Sequence, residues 1–158
     1  MTLKKRPISA EGLKKLQEDL DRLVRVERPS VLKEIETALG HGDVSENAEF
    51  TYAKEKQALI EVRIRDFQER LAASEVIDLE NRPASDRIVF GSYVTIEDLD
   101  TSERKVYRLL GQDEVDIARG IISVTSPLGK ALIGKQADDI VQVKTPDGLR
   151  EYEIIDIS

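Results

Sequence analysis

The chain has 158 residues, with 31 acidic and 24 basic side chains, a formal net charge of −7, one His, no Cys and no Trp. The lack of Cys excludes disulfides, thiolate metal sites and Cys nucleophiles, and a single His excludes the common His-rich zinc sites, so any metal must be held by oxygen ligands. Phosphate contacts supply most of the affinity for nucleic acid, so a protein that binds it alone is normally basic. Because this chain is acidic, we expect no stable binding of free nucleic acid, only access through a protein that already holds it.

Targeting and membrane segments are not predicted. The first residues are basic, but no apolar run follows them, which excludes a secretory signal. No stretch of about 20 apolar residues is present that could span a membrane. We therefore expect a cytoplasmic protein of one or two small domains with no membrane partner.

The first half of the chain is predicted to be an antiparallel α-helical coiled-coil hairpin covering 1–77. One seam has the 3-4-3 spacing of a coiled coil and consists of Leu13, Leu16, Leu20 and Leu23. After Pro29, where we expect a kink or a one-turn break, the apolar stripe resumes with Val31, Leu32, Ile35 and Leu39. A second seam consists of Phe50, Ala53, Gln57, Ile60, Ile64, Phe67 and Leu71. The glycines of the intervening turn, Gly40 and Gly42, allow the chain to reverse, which puts an acidic tip at 40–49.

The second half is predicted to be a small antiparallel β-sheet domain, 88–158, after a linker at 78–87 that contains Pro83. Five stretches carry β-branched or alternating apolar residues: Val89–Ile96, Lys105–Leu110, Ile121–Val124, Ile140–Lys144 and Glu151–Ile157. One short helix is predicted between them, with Ser126 as its cap and Pro127 at its first position. The fold class is therefore α+β.

Three carboxylates lie at the predicted tip: Asp43, Glu46 and Glu49. Asp43 and Glu46 fit a capping box, in which Asp43 caps the second helix and Glu46 reaches back to its N–H. Alternatively, both project from one turn as ligands of a hard cation such as Mg²⁺. Two carboxylates make an incomplete site for an ion that prefers six oxygen ligands, so a partner would have to supply the others.

Two segments resemble motifs of the bacterial transcript-cleavage factors GreA and GreB. Residues 41–50 read HGDVSENAEF and resemble the tip motif of this family. Residues 126–134 read SPLGKALIG and resemble the signature segment of its C-terminal domain. The resemblance extends in order over nearly the whole chain, and the length and acidic balance look more like the GreA branch than the more basic GreB branch.

The resemblance implies a fold and a function. An N-terminal coiled coil is followed by a C-terminal domain with an FKBP-like fold, which docks on RNA polymerase at the rim of the secondary channel. The coiled coil inserts down the channel and brings its tip to the active centre. There it stimulates endonucleolytic cleavage of the nascent RNA 3′ end in backtracked or arrested complexes. The implied protein is a catalytic cofactor of RNA polymerase and not an enzyme with its own substrate pocket.

The resemblance also implies roles for residues at the tip. Asp43 and Glu46 are the implied catalytic residues, which hold Mg²⁺ jointly with RNA polymerase, while the free protein binds no metal stably. Asn47 follows them in the motif and either orients a carboxylate or a water molecule or packs the turn.

Two further sites are implied along the chain. Lys54 is the best-placed candidate for contact with the extruded RNA, although basic side chains of a coiled coil also commonly pair with acidic flanks. The acidic loop that carries Asp113, Glu114 and Asp116 belongs to the implied polymerase-docking surface, and its alternative is an exposed turn.

The tip departs from the family pattern at two positions. Leu39 stands where a basic residue is usual and Ser45 where a Lys is common, so we expect weaker electrostatics at the tip. These departures keep open a non-cleaving secondary-channel regulator with the same fold. A peptidyl-prolyl isomerase is a further possibility, which the few aromatic residues of the C-terminal part disfavour. The last alternative is a plain coiled-coil adaptor, which predicts that the tip carboxylates can be replaced without loss of function.

Overall fold

A computed structural model describes residues 4–41 and 47–158 of the chain. The chain divides into two compact units, Leu13–Ala73 on the one hand and the chain up to Gly12 together with Ser74–Ser158 on the other. Within the described residues, no helix is both long and apolar enough to cross a membrane. The domain limits inferred from sequence, 1–77, 78–87 and 88–158, stay a prediction.

The unit Leu13–Ala73 is a hairpin of helices. Its helical segments are α1 (Ala10–Arg22, which begins just before the unit), a π-helical segment (Leu23–Glu27), α2 (Arg28–Leu39) and α3 (Ala48–Ala73). The two arms are joined by the ion pairs Glu27–Arg63, Arg28–Glu61 and Glu34–Lys56 and by the side-chain contact His41–Glu49. From one pair to the next, the residue number rises on the first arm and falls on α3. The arms therefore run antiparallel, and the predicted helical hairpin is confirmed.

The core of the hairpin follows the predicted seam on α3 but not throughout α2. Its almost fully buried members are Leu23, Val31, Ile60 and Ile64, with Leu20, Val24 and Phe67 packed against them. The prediction that Leu32 and Leu39 belong to the stripe is wrong, since their exposed fractions are 47% and 48%. Val31 is buried as predicted, and Ala38, seven residues further on, is the other buried residue of the seam on α2.

The irregularity expected at Pro29 is the π-helical segment that precedes α2. The N–H of Arg28 donates to the carbonyl of Leu23, a five-residue spacing in place of the usual four. Pro29 lies in the first turn of α2, directly after this segment, and has no N–H to donate to the preceding turn. The wider turn lets Leu23 and Val31, eight residues apart, both be buried in the hairpin core.

The other unit is built on a five-stranded sheet. The strands are β3 (Tyr93–Asp98), β4 (Arg104–Leu110), β5 (Ile121–Ser123), β6 (Ile140–Thr145) and β7 (Gly148–Ile157), in the spatial order β5-β4-β3-β7-β6. Neighbouring strands are antiparallel except β4 and β5. The α+β fold is confirmed, with a mixed sheet in place of the wholly antiparallel one predicted. The chain crosses over through a 3₁₀ turn, Ile117–Arg119, before it re-enters the sheet parallel to β4.

One face of this sheet is covered by the short helix α4 (Pro127–Leu132). The Ser126 hydroxyl accepts the N–H of Gly129 at 3.0 Å, so the predicted helix and its cap are confirmed. Leu132 is fully buried and brings α4 into the core. The buried core residues of this unit are Ile88, Val94, Ile96, Leu109, Ile122, Leu132, Val141 and Ile154.

Two short strands were not predicted from the sequence. β1 (Arg6–Ile8) pairs in parallel with β2 (Ser74–Val76), which directly follows α3. A three-residue strand that contains Pro7 shows no alternation of apolar and polar residues, so it carries no strand signal. Ile8 is fully buried, which anchors the beginning of the chain in the same unit as the sheet.

The segment 78–87 is fastened to the rest of its unit by several contacts, two of them made by arginine side chains. The Arg82 guanidinium donates to the carbonyl of Phe90. The Arg87 guanidinium donates to the carbonyl of Gly134 at 2.9 Å, near the end of α4. The segment that composition predicted to be a linker therefore has fixed contacts of its own.

Asp98 organises the turn between β3 and β4. Its carboxylate accepts the N–H of Asp100 at 2.9 Å and the N–H of Thr101 at 3.4 Å, and an Arg150 nitrogen donates to it at 2.9 Å. The backbone N–H of Asp100, more than the guanidinium of Arg150, lowers the pKa of Asp98, although burial opposes this shift. A carboxylate with a lowered pKa stabilises the fold above its unfolded-state pKa of about 3.9, and the stabilisation is lost as the pH falls through the folded-state value.

Asp98→Asn is therefore expected to lower the free energy of unfolding at pH 7. Its effect should be much smaller at a pH below the folded-state pKa of Asp98, where the wild-type carboxyl is protonated in the folded and the unfolded protein alike. Urea unfolding of both proteins at the two pH values measures the difference. Asp100→Asn is the matched control, because its side chain is exposed on the same turn. An Asp98→Asn effect of equal size at both pH values would contradict the assigned role of the charge.

Candidate functional site

The tip of the hairpin is held by Asn47. Its Oδ1 accepts the N–H of Phe50 at 3.1 Å, so Asn47 is the N-cap of α3. Its Nδ2 donates to the carbonyl of Ala38, in the last turn of α2, at 2.6 Å. One half-buried amide thus joins the end of one helix to the start of the next.

The predicted catalytic residues, Asp43 and Glu46, lie outside the described residues. The capping role considered for Asp43 at the start of α3 belongs to Asn47. A second link across the tip joins His41 Nδ1 to Glu49 Oε2 at 2.9 Å, with 57% and 69% of the two side chains exposed. That link is weak, because ion pairs in water contribute little.

A complete metal site is not found where the structure can be described. Residues 4–41 and 47–158 contain no group of three or more His, Asp or Glu side chains that could hold a metal ion. Asp43 and Glu46 therefore stay the predicted Mg²⁺ ligands.

Basic side chains along α3 differ in whether an acidic side chain pairs with them. Lys56 and Arg63 reach Glu34 and Glu27 on the other arm at 3.1 and 4.0 Å. Arg70 pairs with Asp66 within α3 at 2.9 Å. Lys54, by contrast, donates to the neutral Gln57 side chain at 3.0 Å and is exposed, so its charge stays accessible. Its contact with RNA stays a prediction.

The acidic loop after β4 is tied to the beginning of the chain. Arg6 donates through Nε and an Nη atom to the two carboxylate oxygens of Asp113, at 2.8 and 2.6 Å. The Asp113 side chain is only 2% exposed. A two-point contact between a guanidinium and a buried carboxylate is strong and geometrically specific. The alternative of an exposed turn is therefore wrong for Asp113.

Glu114 makes a second connection in the same place. Its carboxylate accepts the N–H and the hydroxyl of Ser9 and, from its own loop, the N–H of Gly111 at 2.9 Å. The Ser9 hydroxyl in turn accepts the N–H of Gly12 at 3.0 Å and so caps α1. A Cβ at Gly12 would overlap the Glu114 carboxylate, so a larger residue there would require Glu114 to move.

Asp116 closes the loop through its backbone. Its N–H and carbonyl exchange hydrogen bonds with Ile121 at 3.1 and 2.9 Å, and its side chain is half-buried. The docking role of Asp113, Glu114 and Asp116 stays a prediction. The described contacts show that the first two residues fasten β1 and the start of α1 to the sheet unit.

Two family models match the two halves of the chain in order. One, described as "Transcription elongation factor, N-terminal", matches residues 6–76, and the other, described as "Transcription elongation factor, GreA/GreB, C-term", matches residues 83–158. The chain belongs to the GreA/GreB family. Both sequence segments that suggested this family, at 41–50 and 126–134, lie within the matched ranges.

Relatives of this GreA/GreB protein have a similar length. It is 52% identical over 151 residues to "Transcription elongation factor GreA" of Pelobacter propionicus, covering 96% of this chain and 95% of the relative. It is 50% identical to the protein of the same name from Trichlorobacter lovleyi, with the same coverages. The crystal structure of GreA factor homolog 1 of Thermus thermophilus is 25% identical, covers 98% of this chain and 99% of that one, and gives a TM-score of 0.45. The predicted resemblance to GreA is confirmed.

Sequence patterns missed several residues that shape this GreA/GreB chain. Arg6 and Ser9 lie more than 100 residues from their acidic partners, so no local pattern connects them. Asn47 did carry a signal, because an Asn directly before a helix is a favoured N-cap. Its second bond, across the hairpin to Ala38, became visible only in the structure.

Proposed function

We propose that this GreA/GreB family member is a transcription elongation factor that binds RNA polymerase in its secondary channel and stimulates cleavage of the nascent RNA 3′ end in backtracked or arrested complexes. The observation that carries the proposal is the hairpin. Two antiparallel arms, joined by Asn47, lead to the segment 42–46, which carries Asp43 and Glu46. Relatives at 52% and 50% identity bear the name transcription elongation factor GreA.

Asp43 and Glu46 fit a role as ligands of Mg²⁺ by the chemistry of their donor atoms. Carboxylate oxygens are the hard ligands that Mg²⁺ prefers, but two of them leave its coordination incomplete. We therefore expect the ion to be shared with acidic residues of RNA polymerase and not to be held stably by the free chain. When bound, the ion supplies activation of a water molecule and stabilises charge on the scissile phosphate.

The contribution of the chain itself is delivery of ligands. A two-helix hairpin is thin, so it can carry carboxylates into a channel that excludes a globular domain. On this proposal the chain is a catalytic cofactor, and the phosphodiester chemistry belongs to RNA polymerase. Its cytoplasmic location is part of the same proposal.

Contact with the extruded RNA is assigned to Lys54. It lies seven residues after Asn47 on α3, about 10 Å along the helix at 1.5 Å per residue. Its exposed ammonium group, bound only through the neutral Gln57 among the contacts described here, supports the assignment. A phosphate group would be attracted by this charge.

Docking on polymerase is assigned to the loop of Asp113, Glu114 and Asp116. The buried ion pair of Asp113 and the hydrogen bonds of Glu114 favour an indirect role for these two, in which they fix the shape of the loop. Asp116 has a half-buried side chain and stays the member best able to meet a partner directly.

The test uses a defined backtracked RNA polymerase complex with labelled RNA and Mg²⁺. The wild-type chain should release short 3′ fragments rapidly, whereas Asp43→Ala and Glu46→Ala should lower the rate by about a hundredfold or more, as loss of groups acting on the reacting centre does. Polymerase binding, measured by competition with the labelled wild-type chain, should be unchanged. Glu36→Ala is the matched control, because it removes an exposed carboxylate of α2 near the tip.

Each other result has a definite meaning. Binding without cleavage by the wild-type chain would overturn the proposal in favour of a non-cleaving regulator of the same channel. Full cleavage by Asp43→Ala and Glu46→Ala would show that the tip carboxylates are replaceable, as expected of a coiled-coil adaptor.

A further inference from the structure

We propose that Asn47 is a positioning residue for RNA cleavage, which acts by fixing the two helix ends between which Asp43 and Glu46 are carried. The inference rests on the proposed function. Its structural basis is that a single side chain bonds to both arms of the hairpin at the tip.

The two bonds use the two different ends of the amide. The oxygen accepts from the N–H of Phe50 at 3.1 Å, and the nitrogen donates to the carbonyl of Ala38 at 2.6 Å. The partners determine the orientation of the amide, since an N–H requires an acceptor and a carbonyl requires a donor. Turning the amide over would break both bonds.

The bond to Ala38 satisfies a group that a helix end leaves exposed. The last four carbonyls of a helix have no partner within the helix, and that of Ala38 receives the N–H of His41 at 3.1 Å as well as the Asn47 amide. The other link across the tip, His41–Glu49, is largely exposed to water. The half-buried amide of Asn47 is therefore the stronger of the two described links between the arms at the tip.

These two hydrogen bonds distinguish Asn from other residues that cap helices well. Ser and Asp cap about as well as Asn, because each offers an oxygen to the N–H of the helix. Neither has a donor that could replace the amide nitrogen at Ala38, and the second oxygen of Asp would face the carbonyl there. A capping role alone tolerates Ser and Asp at this position. A clamp between the arms, in which Asn47 bonds to both Phe50 and Ala38, requires the amide.

Cleavage depends on the clamp because metal ligands must be held close to their productive positions. Ligand and catalytic groups need to be fixed within about 0.5 Å, and a displacement of about 1 Å can cost a hundredfold in rate. Without the bond to Ala38, the start of α3 is free to shift against the end of α2. We expect such a shift to displace Glu46, because Glu46 directly precedes Asn47 in the chain.

The experiment compares the wild-type chain with Asn47→Ser, Asn47→Asp and Asn47→Ala on the backtracked polymerase complex over a range of Mg²⁺ concentrations. Polymerase binding is measured by competition. Hydrogen exchange of the Phe50 amide in the free chain reports whether the cap of α3 persists. Thr51→Ala is the matched control, since it removes an exposed hydroxyl bond to the backbone carbonyl of Asn47 and leaves the clamp intact.

We expect Asn47→Ser and Asn47→Asp to keep the Phe50 amide protected and to bind polymerase as the wild-type chain does. Both should need about tenfold more Mg²⁺ for half-maximal cleavage, and high Mg²⁺ should restore most of the maximal rate, because the ligands are displaced and not removed. Asn47→Ala should lose the protection of Phe50 as well. Thr51→Ala should cleave as the wild-type chain does.

Two results would overturn the inference alone. One is cleavage by Asn47→Ser and Asn47→Asp with the Mg²⁺ dependence of the wild-type chain, which would make Asn47 a helix cap only. The other is a loss of polymerase binding equal to the loss of cleavage. Absence of cleavage by the wild-type chain would instead overturn the proposed function, and this inference with it.

Discussion

Replacing Arg6 by Ala is expected to lower the free energy of unfolding by about 3 kcal/mol, the usual cost of removing one partner of a buried ion pair. The reason is the asymmetry of the pair, because 30% of the Arg6 side chain is exposed but only 2% of the Asp113 side chain is. The variant leaves the Asp113 carboxylate buried without its guanidinium. Urea unfolding, followed by the tyrosine fluorescence of the sheet unit, measures the loss.

The matched control is Arg25→Ala, which removes another Arg–Asp pair. Arg25 and Asp21 are also 2.8 Å apart, but 78% and 58% of their side chains are exposed. We expect a loss of at most about 0.5 kcal/mol there, because water screens the pair. Equal effects of the two variants would mean that the burial of Asp113 does not determine the strength of its pair. The double variant Arg6→Ala with Asp113→Ala should lose less than the sum of the single variants, since the two side chains interact.

Gly129→Ala is expected to destabilise the sheet unit by about 3 kcal/mol, the upper part of the usual range for overpacking. In an exposed helix the same change stabilises by about 1 kcal/mol, so intrinsic helix propensity predicts the opposite sign. The difference comes from the packing of α4. A Cβ at Gly129 would overlap the carbonyl oxygen of Ser123, which also accepts the N–H and hydroxyl of Ser126.

Gly134→Ala provides the comparison within the same unit. Gly134 has a φ of 82°, but no atom lies within 4 Å of the position a Cβ would take. Its expected loss is about 1 kcal/mol, since only the left-handed backbone is penalised. Thermal unfolding of both variants tests the order of the two effects. A Gly129→Ala protein as stable as the wild type would show that α4 can move away from Ser123 at little cost.

The apolar spacing predicted the seam of α3 well. On α2 it correctly included Val31 but wrongly added Leu32 and Leu39, and the π-helical segment explains the difference. On α3 the helix is regular, so residues such as Ile60 and Ile64 keep their phase and are buried as predicted. On the other arm, the wider turn at Leu23–Glu27 shifts the phase. The seam then passes through Val31 and Ala38, while Leu32 and Leu39 turn toward solvent. Apolar spacing alone does not record such a shift.

The motif at 41–50 indicated the family, which is confirmed, because a motif is local in sequence. The role it suggested for Asp43 and Glu46 stays a prediction, and it gave no indication of the residues that support the site. The acidic loop around Glu114 was expected to be a surface feature, since a run of carboxylates is usually solvated. Its hydrogen bond from the Ser9 N–H joins residues 105 positions apart, and the energy of such a contact leaves no trace in local composition.

The pairing of β1 with β2 makes the helical hairpin an insertion between two strands of one unit. Residues 6–8 are synthesised well before the partner that Arg6 needs, which follows 107 residues later. At a synthesis rate of about 5–20 residues per second, that interval lasts roughly 5–20 s. The hairpin, whose contacts are closer in sequence, has time to form within it. β1 therefore lacks its strand partner until β2 is made, and it lacks the ion pair with Asp113 for longer still, so during that part of translation it is open to chaperones and proteases.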